Sequence, residues 1–398
     1  MAHVKRFFLV KLSLLMLIAP GIAQQSLPAV GVPAQAGDVI GTGQNSDQFT
    51  WTLLTYFAAP VPNTFPSKVL FETWATDGDI YTVPPHWPDA NEPKKFDRRK
   101  IDNLGNSHQA TISVPCNPPP NAAVGGFPTS GTPTPCIAEM VSRNRPEYDY
   151  IVGNGLNTQP GLANAYANGF VVSFPKPSIA VKTDWVPAAT ILQWIPQLNT
   201  IEAVRSNYYT AYSEGTEYAL VSIHVASKQN PEWVWGSFEN QFNPGRCDTM
   251  GCYDSFGAQQ PVVLPNKEVP NTQYGSCAKT QQLGLMMVKA GLASVWQNYC
   301  LKSSMVDFVA KDGTPWILGN SVIERIQENG SISTQSCISC HSYASFGSNG
   351  ETTASASAML AFQPVGKTMA GPLKGSKLYD FMWGVLNAPS SSGSPSHR

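Results

Sequence analysis

The feature that most restricts how this chain can fold is Cys337-x-x-Cys340-His341, which lies close to the C-terminus. Two thiols three positions apart project from the same side of a helix, and the imidazole of the next residue lies beside them. This spacing is what covalent attachment of haem c requires: the cysteines form thioethers to the porphyrin, and the histidine binds the iron. The sequence therefore predicts one haem c, held by Cys337, Cys340 and His341.

Three other interpretations of the motif are less favourable. A thiol redox site usually opens a helix within a thioredoxin-like βαβ unit, and the chain that follows His341 is too short for that fold. A zinc site needs a fourth ligand and usually a second paired motif, which is missing from the sequence. A structural disulfide that spans only two residues is strained, and it would leave an exported globular protein without haem.

The sixth haem ligand is the open question, because a methionine, a second histidine or an empty position gives different chemistry. Met369 lies in the loop GKTMAGPLKG and is the predicted ligand, since a loop can reach over the ring. Met359 is an alternative. Met382 is expected to be a core residue. His224, in the strand-like VSIHVAS, is expected to be half-buried and most simply a hydrogen-bonded core histidine, and it is also an alternative ligand.

The N-terminus has the features of a secretory signal peptide over residues 1–23. Lys5 and Arg6 precede the apolar run Leu12–Ile18, and small residues around Ala23 suit cleavage there. The apolar run is too short for a membrane anchor, and no later segment is long and apolar enough to span a bilayer. The mature protein is therefore predicted to be periplasmic, without a membrane span.

The chain has 8 cysteines, which suits an oxidising compartment where disulfides persist. Six of them lie outside the haem motif, and sequence alone leaves many connectivities open, with metal binding as a further alternative. Pairing of nearest neighbours is the simplest prediction. The expected pairs are Cys116–Cys136, Cys247–Cys252 and Cys277–Cys300.

Charge excludes one class of partner. The formal net charge is -1 and charged residues make up 13% of the chain, so no basic surface is expected that could neutralise nucleic-acid phosphates. The predicted partner is instead a redox protein that exchanges electrons with the haem. The predicted function is one-electron transfer, and the alternative is a haem enzyme with an open or labile sixth position.

The order of strand-like and helix-like patterns predicts an α+β fold. Strand patterns dominate the middle of the chain, where Trp233 and Trp235 share one face and are expected to be core. Apolar residues three and four apart predict amphipathic helices at 279–299 and 376–388. TDGD, at 76–79, lacks the further oxygens of a calcium loop and is predicted to be a turn. The predicted segments are a signal peptide (1–23), a flexible lead-in (24–46), a strand-rich domain with some helix (47–325), a helical haem-binding segment (326–388) and a disordered tail (389–398).

Several stretches together resemble a family of large exported bacterial proteins described as cytochrome c family proteins. The resemblance extends from about Leu70 to the end of the chain, and the haem motif is its chemically specific part. It implies covalent haem on Cys337 and Cys340, with His341 as the axial ligand. The stretches that carry it are ILGNSVIE, SCISCHSYASF, YDFMWGVLNA, WVWGSFEN and NPGRCDTMGC.

Overall fold

An antiparallel sheet of eight strands organises the protein, which was studied as a computed structural model. The structure describes residues 40, 41, 43–93, 96–99, 137–248, 250–265, 274–321, 335–362 and 364–390. Within them, helices and strands are both present and the central region is rich in strands, which confirms the predicted α+β class. None of the described helices is long and apolar enough to cross a membrane.

The helices are short and lie between and beside the strands. Four of them begin at a polar side chain that accepts a hydrogen bond from the first turn: Asn144, Thr158, Thr200 and Thr280. Such caps satisfy backbone N–H groups that have no partner inside the helix. The helices of the described part are α1 (Gln44–Phe57), α2 (Asp77–Ile80), α3 (Arg145–Gly153), α4 (Gln159–Ala167), α5 (Ala188–Trp194), α6 (Ile201–Asn207), α7 (Gln281–Lys289), α8 (Cys337–His341) and α9 (Ala354–Phe362).

The strands range from long central members of the main sheet to short two-residue pairs. They are β1 (Pro60–Val61), β2 (Lys68–Val69), β3 (Ala75–Thr76), β4 (Asp97–Arg99), β5 (Ile137–Arg143), β6 (Ile179–Pro187), β7 (Thr210–Ser213), β8 (Thr216–Ser227), β9 (Val234–Asn240), β10 (Cys252–Tyr253), β11 (Val262–Val263), β12 (Tyr299–Met305), β13 (Ser345–Phe346) and β14 (Lys377–Leu378). The main sheet has the order β12-β9-β8-β6-β5-β3, with β4 beside β5 and β7 beside β8.

The two faces of this sheet differ in polarity. One face carries alternating apolar residues, such as Val181 on β6 and Ile223 and Val225 on β8, and packs into the first core with α1 and α7. The opposite face is apolar at its ends and polar in the middle. There the strand register places Lys182 opposite His224, and His224 opposite Ser237.

The second core lies on this opposite face and joins it to the C-terminal part of the chain. Ala226, Trp235 and Met305 from the sheet are buried together with residues of the C-terminal segment. The C-terminal members of this core are Leu318, Ile338, Ala344, Phe346, Tyr379, Met382, Val385 and Ala388. The Cys337-x-x-Cys340-His341 motif is therefore held against the sheet by a shared hydrophobic core.

The predicted helix over 279–299 is too long. The α-helix ends at Lys289, because Gly291 adopts a left-handed conformation (φ 69°) and Leu292 donates its N–H to the carbonyl of Met287. This is the Schellman arrangement, which caps the C-terminus of a helix. A short 3-10 helix (Ser294–Asn298) follows, and Tyr299 already belongs to β12.

The predicted helix over 376–388 is wrong. Lys377 and Leu378 instead pair with β13, and a 3-10 helix covers Trp383–Asn387. Between them, Asp380 and Phe381 both have positive φ (46° and 71°), which no right-handed helix allows. Tertiary bonds of the Asp380 carboxylate, to Lys228 and to the backbone of Phe174, hold this turn against the helical pattern of the sequence.

Two of the predicted disulfides are confirmed, Cys247–Cys252 and Cys277–Cys300. The third predicted pair, Cys116–Cys136, lies outside the described residues, as do the predicted signal peptide, most of the lead-in, most of the tail and the proposed boundary near 325. The TDGD stretch forms β3 and the single turn of α2, in agreement with a turn-like role.

Candidate functional site

The predicted haem motif folds as the single helical turn α8. The N–H of Cys340 donates to the carbonyl of Ser336 at 2.9 Å, which sets the thiols of Cys337 and Cys340 one turn apart. Both cysteines are partly exposed, while Ile338 and Ser339 between them are buried. The turn thus leaves its two cysteines partly accessible and is anchored by the buried residues between them.

The imidazole of His341 is fixed by one hydrogen bond. Its Nδ1 lies 2.7 Å from the carbonyl oxygen of Phe381, and because a carbonyl can only accept, Nδ1 carries the proton. The lone pair of the neutral ring is therefore on Nε2. Histidines that bind metals are commonly oriented in this way, with the second ring nitrogen donating to a carbonyl or carboxylate.

The surroundings of His341 keep its ring neutral. Burial lowers the pKa of His341 to about 4, the bond to Phe381 opposes this in part, and the positive charges of Lys182 and Arg143 lower it further. A neutral imidazole is the form that binds iron, so the ring is ready to act as a ligand at neutral pH.

Aromatic side chains surround the motif. The ring of Trp235 lies 4.6 Å from the imidazole of His341, and Phe381 lies 6.3 Å from Trp235. The indole of Trp383 donates from Nε1 to the carbonyl of Cys340 at 3.3 Å. Trp235 and Trp233 are both buried, as expected, but Trp233 precedes β9 and has a positive φ (64°), so only Trp235 is on the strand. These rings give the motif a rigid and largely apolar setting.

His224 lies on the same face of the sheet as Trp235. Trp235 is opposite Ala226, which stands two residues from His224 along β8 and on the same side. Burial lowers the pKa of His224 to about 3, and the neighbouring Lys182, His341 and Lys302 lower it further. His224 lies on β8 and is half-buried, as expected from the strand-like sequence, and it lies within electrostatic reach of His341.

The three methionines have different surroundings. Met382 is buried, as expected, and its Sδ accepts a hydrogen bond from Nη1 of Arg143 at 3.3 Å. Met369 is 49% exposed, and its N–H donates to the hydroxyl of Tyr343 at 2.7 Å. Met359 is half-buried on α9. Met369 therefore lies in an accessible loop that is attached to the haem-motif segment through Tyr343.

The sequence did not single out a buried ionic cluster behind the motif. The guanidinium of Arg143 contacts Asp77 (Nε to Oδ1, 2.7 Å) and Glu147, and the same guanidinium binds Met382. Met382 follows Phe381, whose carbonyl orients His341, so this cluster supports the backbone that holds the imidazole. Arg143 ends β5 and Glu147 lies in the first turn of α3, so no helical spacing in the sequence signals this pair.

Comparisons of the chain with protein-family models, curated proteins and solved structures give no match.

Proposed function

We propose that this chain is an exported, periplasmic c-type cytochrome with one covalently bound haem, and that it exchanges single electrons with a redox partner protein. The observation that best supports the proposal is the pairing of the Cys337-x-x-Cys340-His341 turn with the bond from His341 Nδ1 to Phe381. That bond leaves Nε2 as the donor atom of a neutral ring, which is what an axial ligand needs.

The donor set fits the group that the motif implies. Cys337 and Cys340 are partly exposed thiols one helical turn apart, suited to two thioether bonds, and His341 would be the proximal iron ligand. When bound, a haem supplies reversible one-electron exchange at its iron. The protein's contribution is to hold the imidazole at a fixed angle and to exclude water from its buried side.

Two features of the chain would adjust the redox behaviour of this site. The hydrogen bond from Nδ1 to a carbonyl raises the basicity of the imidazole and so favours the oxidised iron. The aromatic and aliphatic surroundings, including Trp235 and Phe381, lower the local dielectric and disfavour an additional positive charge. The balance between these effects sets the working potential.

Met369 remains the predicted sixth ligand, with Met359 and His224 as alternatives. The half-exposed position of Met369 also favours the second candidate function, a haem enzyme with a labile sixth ligand, because an exposed loop residue can leave the metal more easily than a core residue can. Under that alternative, peroxide or another small molecule would take the position.

The proposal is tested by producing the chain in a bacterial host with a haem c attachment system. Wild-type protein should keep haem after denaturing electrophoresis, and the Cys337→Ala/Cys340→Ala double variant should lose it. The Cys247–Cys252 disulfide provides a matched control, because Cys247→Ala/Cys252→Ala changes two cysteines at another place and should keep the haem. Colourless wild-type protein, obtained folded from such a host, would rule the proposal out.

The sixth ligand is then assigned from absorption spectra. Met369→Ala should convert a low-spin ferric spectrum to high-spin if Met369 binds the iron, and Met359→Ala and His224→Ala test the alternatives in the same way. Met286→Leu, on α7, serves as the methionine control. A wild-type spectrum that is already high-spin and shifts with cyanide supports the haem enzyme instead.

A further inference from the structure

A second group of metal-ligating side chains lies in the segment that follows β3. Asp79 of α2 and His86 and Glu92 of the next loop place three ligand atoms close to one another. His86 Nε2 is 3.5 Å from Asp79 Oδ1 and 3.3 Å from Glu92 Oε1, and the three atoms all lie within 4.8 Å of one another. Nothing in the proposed cytochrome function uses these residues.

Each carboxylate is oriented by its other oxygen. Asp79 Oδ2 accepts from the N–H and the hydroxyl of Thr76, at 2.7 and 2.8 Å, so that Oδ1 faces His86. Glu92 Oε2 accepts from the N–H of Asp89 at 3.3 Å, so that Oε1 faces the same imidazole. The N–H of His86 donates to the carbonyl of Asp79 at 3.1 Å and brings the loop back onto α2. Outer hydrogen bonds of this kind are what orient metal ligands in known sites.

A simple hydrogen-bonded ion pair explains this arrangement less completely. Nε2 of a histidine carries at most one hydrogen, so it can donate well to one acceptor, yet two carboxylate oxygens approach it at long and nearly equal distances. A cation placed between the three atoms would bond to all of them. Two ligands that are each about 2.0–2.1 Å from a tetrahedral zinc ion stand about 3.3–3.4 Å apart, close to the two distances from His86 Nε2 to the carboxylate oxygens.

The identity of the donors selects the class of metal. One imidazole nitrogen and two carboxylate oxygens suit Zn²⁺ or a similar divalent transition ion, whereas Ca²⁺ takes about six to eight oxygen ligands. The side chains of His86, Asp79 and Glu92 are 49%, 15% and 39% exposed, so an ion can enter directly from solvent. A water molecule can fill a fourth position on that side.

We propose that Asp79, His86 and Glu92 form a binding site for Zn²⁺ or a similar divalent transition ion, which ties the 86–92 loop to α2. α2 also contributes Asp77, which contacts Arg143 in the ionic cluster behind the haem motif. The metal would therefore stiffen the element that carries one partner of that cluster. The site does not depend on haem attachment.

Isothermal titration of the purified full-length mature protein with ZnCl₂ tests the site. Wild-type protein should bind one equivalent that is lost, or weakened by at least about tenfold, in His86→Ala and in Glu92→Gln. Asp149→Asn is the matched control, because Asp149 is an exposed carboxylate in an ordinary pair with Arg145. Zinc should also raise the melting temperature of the wild-type protein and leave that of His86→Ala unchanged.

Two further measurements keep the outcome clear. Zinc also binds thiolates, so the titrations are repeated with Cys337→Ser/Cys340→Ser protein, in which the His86-dependent equivalent should persist. Circular dichroism shows whether His86→Ala is folded, and Glu92→Gln, which keeps the loop hydrogen bonds of the other residues, provides the test if it is not. The proposal is overturned if folded wild-type protein binds no zinc, if both variants bind it as the wild type does, or if Ca²⁺ displaces zinc at equal concentration.

Discussion

Replacement of Asp380 by alanine should lower the free energy of unfolding more than almost any substitution at the surface. Asp380 Oδ1 pairs with Lys228 Nζ at 2.6 Å, and Oδ2 accepts from the N–H of Phe174 at 2.7 Å. The two charged side chains are only 10% and 8% exposed. Asp380→Ala therefore leaves a buried ammonium without its counter-ion and a buried N–H without its acceptor.

The expected loss is about 4 kcal/mol of unfolding free energy. Removal of one partner of a buried ion pair costs about 3–5 kcal/mol. This range already contains most of the cost of the lost hydrogen bonds. Alanine also tolerates the positive φ of residue 380 (46°) less well than aspartate does, which adds up to about 1 kcal/mol. Asp380→Asn keeps an acceptor for Phe174 and should lose about half as much.

Urea unfolding followed by tryptophan fluorescence measures these values. Asp149→Ala is the control, because Asp149 pairs with Arg145 at the surface, where the side chains are 53% and 60% exposed and such pairs contribute about 0–1 kcal/mol. If Asp380→Ala and Asp149→Ala lose equal amounts, the Lys228–Asp380 pair does not hold the turn before Phe381. The carbonyl of Phe381, which orients His341, would then be positioned by other contacts.

Three other predictions concern stability elsewhere in the fold. Burial raises the pKa of Asp254 from 3.8 to about 6, so the folded chain holds a proton more strongly than the unfolded chain does. The free energy of unfolding should therefore fall as pH rises from about 4 to 6. Asp254→Asn should flatten that part of the curve of unfolding free energy against pH. Gly236→Ala should destabilise the protein by about 1–3 kcal/mol, because its Cβ would lie 2.3 Å from Thr50, whereas Gly284→Ala, with nothing within 4 Å on α7, should stabilise it by about 0.5–1 kcal/mol in thermal unfolding. Loss of the Cys277–Cys300 disulfide, which spans 23 residues, should lower the free energy of unfolding by about 3 kcal/mol. Loss of Cys247–Cys252, which spans 5 residues, should lower it less. Equal losses in urea titrations of the two double-alanine variants would contradict the loop-entropy explanation.

Local patterns predicted the parts of the fold that depend on neighbouring residues. Several features follow from short-range signals: the α+β class, the strand that carries His224, the burial of Trp233 and Trp235, and the Cys247–Cys252 and Cys277–Cys300 disulfides. In each case the residues that decide the structure lie within a few positions of one another or close one loop.

Longer-range contacts decided what the patterns missed. The helical spacing over 376–388 is real, but a carboxylate that binds Lys228 and Phe174, both far away in sequence, determines the backbone there. His224 and Trp235 lie on the same face of the sheet because of the register between β8 and β9. The sequence of either strand alone does not determine that register. The partners of Arg143 are likewise visible only after the chain has folded.

Under the proposed function, the residues between the two motif cysteines impose an order on maturation. Ile338 and Ser339 are fully buried, so the sulfur-bearing turn reaches its final position only when the C-terminal segment closes over Trp235 and Met305. Under the proposed haem attachment, an attachment enzyme would need access to both sulfur atoms. It would have that access most readily on a chain whose C-terminal segment has not yet packed against the sheet. A chain truncated before residue 335 would expose the apolar face of the sheet that carries Ala226, Trp235 and Met305. Quality-control proteases would be expected to remove such a chain.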